Sequence, residues 1–233
     1  NVPDYCLPEV ADHALGLILA LARKIPWINS LTKAGEWNWN KFRPILNLEG
    51  RTAGIIGFGK IGGRVAERLK SLEVKIFVYD PYIPESLVKQ RGSKPVDLKT
   101  LLEKSDIVTI HVPLIKDTYH LIGEKELQLM KKTAILINTA RGAVVDQRAL
   151  YEALRTRRIG YAGLDVLEKE PPDPDDPLLR LPNVIVTPHM AFYSERSARV
   201  LRKEAVEEVI RILEGKKPKN LVNPEVLKHS RHI

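Results

Sequence analysis

Cysteine is almost absent from this sequence: among 233 residues only Cys6 carries a thiol. A lone cysteine excludes an internal disulfide framework and fits a reducing cytoplasm. Nothing beside Cys6 would lower its pKa, so it reads as inert rather than nucleophilic. Long apolar runs are lacking too. None approaches the roughly 20 residues of a membrane-spanning helix. The nearest, VADHALGLILALAR, is interrupted by Asp12 and His13 and reads as a buried core helix. No signal-peptide pattern opens the chain, and no internal repeat or low-complexity tract is visible. Aromatic residues are scarce, at 6%, and do not alternate with the basic ones. That scarcity matters because the net charge of +8 raises nucleic acid as a partner. The basic clusters at Lys131-Lys132, Arg155–Arg158 and Lys216–Lys219 are dispersed near expected helix ends or in the tail. Cations favour helix C-termini for dipole reasons alone. A solvated surface accounts for them, and neither nucleic acid nor a membrane is expected as a direct partner.

What the sequence does have is an ordinary globular balance, 44% hydrophobic and 28% charged. From Gly54 onward, short apolar runs alternate with helical patterns, the sign of a parallel α/β sheet. The expected strands are GIIGF, KIFVYD, DIVTIHV, AILINT, YAGLDV and NVIVTP, near-continuous in aliphatic residues as strands covered on both faces should be. Between them IGGRVAERLKSL, DLKTLLEKS, GEKELQLMK and DQRALYEALRTR carry apolar residues at helical spacing, with Asp97 and Asp146 as N-caps. Six strands joined by right-handed helical crossovers predict a doubly wound sheet of the Rossmann dinucleotide-binding type. Residues 9 to 24 predict an apolar helix, and residues after 193 a long amphipathic one capped near Ser194 and stopped at Gly215. Trp27, Trp37 and Trp39 suit either a core or a subunit interface, where aromatics are enriched.

Two constellations carry chemistry. The first is Gly57-Phe58-Gly59-Lys60-Ile61-Gly62, which follows a strand and opens a helix, as a dinucleotide loop must. Gly57 permits the tight turn, Gly59 lets a pyrophosphate approach the backbone, and Gly62 allows close helix–strand packing. The helix start offers N–H groups and a positive dipole end to phosphate. Asp80 ends the next strand, 23 residues after Gly57, where an acid would hold ribose hydroxyls. Pro81 and Tyr82 follow, with no basic residue to receive a 2′-phosphate, so NAD is expected over NADP. The second constellation is Arg141, Glu170 and His189. Each follows a different expected strand at its carboxyl end, the edge where open α/β sheets bind ligands. Hydride transfer to a carbonyl carbon needs a proton donor, and histidine suits neutral pH. A carboxylate beside it favours the imidazolium, and a guanidinium grips a carboxylate or carbonyl by forked hydrogen bonds. Singly, Glu170 also reads as a plain loop residue and His189 as a strand end.

The ordered set GFGKIG, VYDPY, HVPL, NTARGAVVD, GLDVLEKEPP and TPHMAFYS resembles the D-isomer-specific 2-hydroxyacid dehydrogenases over nearly the whole chain. NVPDYCLPEVADHALGLILALAR and HMAFYSERSA are most similar to the branch containing the C-terminal-binding-protein corepressors and bacterial or archaeal relatives. The resemblance implies Arg141, Glu170 and His189 as the catalytic trio of an NAD-dependent oxidoreductase that interconverts a D-2-hydroxy acid and a 2-keto acid. It implies further NAD contacts at Val112, Pro113, Thr118, Thr139, Ala140, Arg141, Asp165, His189 and Ala191, no metal, and a homodimer. Many relatives carry two glycines where this chain has Met190-Ala191-Phe192, which makes Phe192 an expected wall of the substrate pocket. The resemblance also implies that most of a flavodoxin-like substrate domain is missing from the N-terminus. Residues 1–8 would then be the hinge, 9–192 the NAD-binding Rossmann domain, and 193–233 a C-terminal helix and tail returning toward the substrate domain. The rival expectation is an NAD-sensing, corepressor-like interaction protein whose dimerisation responds to cofactor.

Overall fold

Apolar residues that alternate along each strand divide between two cores, one on either face of a sheet. Ala53, Ile55, Ile107, Ile135 and Ile137 belong to the first, and Ile56, Val108, Ile110 and Leu136 to the second. Successive side chains on a strand point to opposite faces, so an unbroken apolar run fills both. The computed structural model describes residues 1–225. Its sheet comprises β1 (Thr52–Ile56), β2 (Lys75–Tyr79), β3 (Lys94–Pro95), β4 (Ile107–Ile110), β5 (Ile135–Asn138), β6 (Tyr161–Leu164) and β7 (Val184–Val186). All neighbours are parallel, in the order β3-β2-β1-β4-β5-β6-β7. The six expected strands are there. The seventh, β3, corrects the expected count: it is a two-residue edge rung pairing Lys94 with Phe77 and Pro95 with Val78. An edge is where a proline, which has no N–H to give the ladder, can sit.

Helices cover both faces. On the first, α1 (Leu7–Ala22) presents Ala11, Ala14, Leu17, Ile18 and Leu21, and α3 (Lys60–Lys70) presents Val65, Ala66 and Leu69. Between them in sequence lies α2 (Ile25–Lys33). After α4 (Glu85–Gln90), the second face is covered by α5 (Leu98–Lys104), α6 (Glu124–Leu129) and α7 (Gln147–Arg155), through Leu101, Leu102, Leu127, Leu150 and Leu154. Burying a leucine or isoleucine of this kind is worth about 1.5–3 kcal/mol. The expected caps are in place: Asp97 accepts from Thr100 N at 2.7 Å and Asp146 from Ala149 N at 2.9 Å.

The chain divides into two compact units, one of residues 10–191 and one of residues 1–9 with those from 192 onward. The second holds α8 (Glu195–Leu213), whose cap Ser194 accepts from Ser197 N at 2.9 Å and donates to Glu9 at 2.8 Å. Gly215, with φ +72°, follows its end. The last part of the expected tail, 226–233, lies outside the described residues. Among the described residues no single helix is long and apolar enough to cross a membrane. The tryptophans separate: Trp27 packs against the first core with its ring 6.0 Å from Tyr161, while Trp37 and Trp39 stand 91% and 70% exposed.

Candidate functional site

The sheet order puts β1 between β2 and β4, with α3 on one face and α5 on the other, the switch point at whose carboxyl ends open α/β sheets form their ligand crevice. The glycine loop lies there. Gly57 has φ +89°, a backbone that favours glycine, and a Cβ on it would come within 2.7 Å of His111 O. A Cβ on Gly62 would lie 2.0 Å from Gly57 O, which is the close helix–strand approach the spacing predicted. Gly59, the cap of α3, has nothing within 4 Å of its Cβ position and no side chain to satisfy the first-turn N–H groups. Phe58 turns its ring into the core, so its exposed function is its backbone. Its N–H donates to Asp80 Oδ2 at 2.7 Å, and Tyr82 N donates to Asp80 Oδ1 at 2.9 Å. Asp80 is thereby clamped to the glycine loop. Ile61 packs against the first core, and Lys60 begins α3.

Around the crevice, Val112 lies against Gly57 and the second core. Thr118 donates to Pro113 O at 2.6 Å and accepts from Ile115 N at 2.8 Å, stapling the loop after β4. Thr139 is different. Its hydroxyl, at the carboxyl end of β5, is buried with no hydrogen-bond partner among the described residues, so its donor and acceptor are open to a ligand. The open ground above Gly59, the uncapped helix start, the clamped Asp80 and this orphaned hydroxyl together fit a dinucleotide. His111, beneath the loop, was not expected from sequence. Its Nδ1 is buried without a partner among the described residues, and burial pushes its pKa down to about 3, so the ring is neutral.

Arg141 emerges from β5 through a turn held by Asn138. The buried Asn138 side chain accepts from Ala140 N at 3.0 Å and donates to Arg141 O at 2.9 Å. Asparagine closing on its own backbone two residues on is a recognised turn device, and Asn138 in NTAR is its signal in the sequence. Ala140 packs against the second core, and Arg141 reaches solvent with its guanidinium donating to Ala140 O at 2.6 Å. Just beyond, a Cβ on Gly142 would sit 2.0 Å from the Leu167 carbonyl, so the Arg141 turn lies directly on the loop after β6. That loop ends in Glu170. Glu170 Oε1 accepts from Leu167 N at 2.9 Å and Oε2 lies 2.6 Å from His189 Nδ1. Burial pushes the Glu170 carboxyl up. The hydrogen bonds from His189 and Leu167, with the charges of His189 and Arg141, outweigh it and hold the pKa below the usual glutamate value. Glu170 and His189, from two strand ends, therefore meet directly, and the turn carrying Arg141 packs on the Glu170 loop.

His189 has φ +50°, uncommon for a residue with a Cβ and a place where strain collects at working sites. Its N–H donates to Asp165 O at 2.8 Å and to Thr187 O at 3.0 Å. The Asp165 carboxylate, 1% exposed, accepts from Thr187 Oγ1 at 2.5 Å, Met190 N at 3.0 Å and Ala191 N at 2.8 Å. Asp165 and Ala191 thus shape the turn that carries His189. Thr187 was not anticipated, since nothing in VTPH marks its hydroxyl. Phe192 falls in the other unit, its ring edge-on to Tyr5 at 6.4 Å.

Residues 15–191 match the family model described as D-isomer specific 2-hydroxyacid dehydrogenase, NAD binding domain. The chain is 43% identical to the D-3-phosphoglycerate dehydrogenase of Archaeoglobus fulgidus over 96% of its own length and 42% of the relative's. It is 44% identical to the glyoxylate reductase of Korarchaeum cryptofilum, over 98% of its length and 70% of that protein's. In structure it is similar to a D-lactate dehydrogenase from Aquifex aeolicus complexed with NAD and lactic acid. There the TM-score is 0.85 and the identity 36%, with 92% of this chain and 68% of that one covered. The chain thus spans less than half of the phosphoglycerate dehydrogenase and about 70% of the other two.

Proposed function

The chain belongs to the D-isomer-specific 2-hydroxyacid dehydrogenases, whose NAD-binding domain it carries, and from that premise we propose that it interconverts a D-2-hydroxy acid and its 2-keto acid. The observation that carries this reading is the 2.6 Å pair of His189 Nδ1 and Glu170, with the charge of Arg141 bearing on the same carboxylate. The Gly57–Gly62 loop, Asp80 and Thr139 would hold the dinucleotide, whose nicotinamide supplies the hydride when bound. Asp80 and the absence of a basic residue after it favour NAD over NADP. Arg141 anchors the substrate carboxylate and carbonyl oxygen by its planar fork. Glu170 engages Nδ1 of His189, so Nε2 is the atom that hands a proton to the oxygen in reduction and takes it back in oxidation.

The test is a keto-acid panel of glyoxylate, pyruvate, hydroxypyruvate and phenylpyruvate with NADH on the full-length protein. His189→Ala should abolish reduction and leave NADH affinity largely intact. Turnover in that variant equal to the wild type's would end the acid role. The paired acid and base beside the Arg141 turn speak for retained chemistry, and no observation favours the NAD-sensing corepressor-like reading. The same proposal takes residues 1–8 as a hinge, 9–192 as the cofactor unit and 193–233 as a helix and tail returning toward a substrate domain. It places a homodimer in the cytoplasm, where the free Cys6 thiol stays reduced.

A further inference from the structure

The mechanism makes no use of a histidine that α1 sends to the carboxyl ends of β6 and β7. His13 Nε2 lies 2.9 Å from Thr187 Oγ1 and 3.5 Å from Asp165 Oδ1, and the His13 side chain is only 21% exposed. The protons can be counted. Thr187 has one hydroxyl hydrogen, and at 2.5 Å it goes to the Asp165 carboxylate, which has none to give. Toward His13 the threonine oxygen is therefore an acceptor, so Nε2 carries a hydrogen and donates it.

This order has a consequence for the loop. Asp165 is a buried carboxylate, and its donors come from Thr187, Met190 and Ala191, which bracket His189, with the His13 ring edge close by. Unpaired, such a carboxylate would be strongly destabilised. The donors are thus drawn in around it and the chain between them is forced into a tight turn. His189 sits in that turn at φ +50°, its N–H shared between Asp165 O and Thr187 O. We infer that His13 is a positioning residue for His189. By donating to Thr187 it fixes the hydroxyl on Asp165 and so holds the 187–191 turn in the conformation that aims His189 at Glu170. Without that donor the hydroxyl can rotate away, Asp165 loses a partner and the left-handed turn loses what offsets its strain. The inference rests on the reading that His189 handles the proton. The bland reading is that His13 merely satisfies a half-buried polar spot between α1 and the sheet.

The experiment separates the two. In the full-length protein His13→Leu removes the donor while filling the space, and His13→Gln returns an amide N–H to about the same position. Five quantities are read: kcat and KM for glyoxylate with NADH, NADH affinity, thermal unfolding, and the imidazole Cε1–H signal of His189 by NMR. A catalytic group displaced by about an ångström costs up to about a hundredfold, so His13→Leu should lower kcat by about tenfold to a hundredfold, with KM and NADH affinity within about twofold. The His189 signal should move, and His13→Gln should restore both most of the turnover and the signal. Wild-type kcat in His13→Leu would overturn the inference. So would a fall in kcat that follows loss of NADH binding and of thermal stability without rescue by His13→Gln, since that is packing alone. Should the wild type reduce no keto acid while the His189 signal still moves in His13→Leu and returns in His13→Gln, positioning stands and the reaction proposed above falls. A signal that stays in place overturns the positioning role whatever the turnover.

Discussion

A guanidinium and an ammonium carry the same charge but offer it differently, and Arg141 is the residue where that difference can be measured. Its fork can meet two oxygens of a keto acid at once, whereas lysine brings a point charge on a flexible stem. A hydrogen bond to a charged group is worth about 1.5–3 kcal/mol, so Arg141→Lys should lower kcat/KM for the best keto acid by about tenfold to a hundredfold. Kinetics close to wild type would remove Arg141 from the anchor role. Glu170 makes a prediction in pH. Its folded carboxyl titrates below the ordinary value of 4.5, so it binds fewer protons than in the unfolded chain between those two values. The pair then contributes stability above pH 4.5 and loses it as pH falls through the folded pKa. Urea unfolding of wild type and Glu170→Gln across the acid range should show a modest stability gap that shrinks below pH 4.5, modest because the pair is partly solvated. A gap that widens on acidification would contradict this. At the same scale, Gly57, Asp80, Arg141, Glu170 and His189 were legible because each carries a chemical type at a strand end. Thr187 and His13 were not, because their significance is a distance across 174 residues of sequence.

Elements explain why the fold was so readable and where reading stopped. A strand covered on both faces is apolar at nearly every position, so β1, β4, β5 and β6 announce themselves as near-continuous runs between helical patterns. Edge β3 has only Lys94 and Pro95, with no run and a residue that strands otherwise avoid, and short α4 lies in the same polar stretch. Neither had a signal to give. The turns between elements were partly legible: the capping aspartates were, while the packing of the Arg141 turn on the Glu170 loop was not, because it depends on a missing side chain. A Cβ on Gly142 would lie 2.0 Å from the carbonyl of Leu167 and 2.4 Å from Glu168 N, both backbone and unable to yield cheaply. Gly142→Ala must therefore push the two turns apart, at a cost of about 1–3 kcal/mol as in other overpacked sites. Turnover should fall with it more steeply than NADH affinity, because the Gly57–Gly62 loop and Asp80 lie away from Gly142 and only the Thr139 side of the proposed cofactor site adjoins it. Equal melting temperature and kcat in Gly142→Ala would show that the two turns do not depend on this approach.

For the whole molecule the exposed aromatics are the informative feature. The sequence left three tryptophans open between core and interface, and the structure takes Trp27 into the first core while leaving Trp37 and Trp39 outside it. The two exposed rings are not carried on a formless tail. A short 3-10 turn, Trp39–Phe42, is capped by Asn38, which accepts from Asn40 N at 3.1 Å, and Arg43 lies over the Trp39 ring at 5.7 Å. An ordered arm that presents large apolar rings to water gains by being covered, and a second copy of the same chain supplies a self-complementary cover under two-fold symmetry. Tryptophans at the centre of such an interface commonly contribute at least about 2 kcal/mol each, so losing two should weaken a dimer by about a thousandfold or more. Sedimentation equilibrium of the full-length protein should accordingly report a dimer for wild type and a shift toward monomer for the Trp37→Ala, Trp39→Ala double variant. NADH binding per chain should survive in that variant, because the Gly57–Gly62 loop and Asp80 draw on neither tryptophan. Identical masses for the two proteins would leave the arm without a role in assembly.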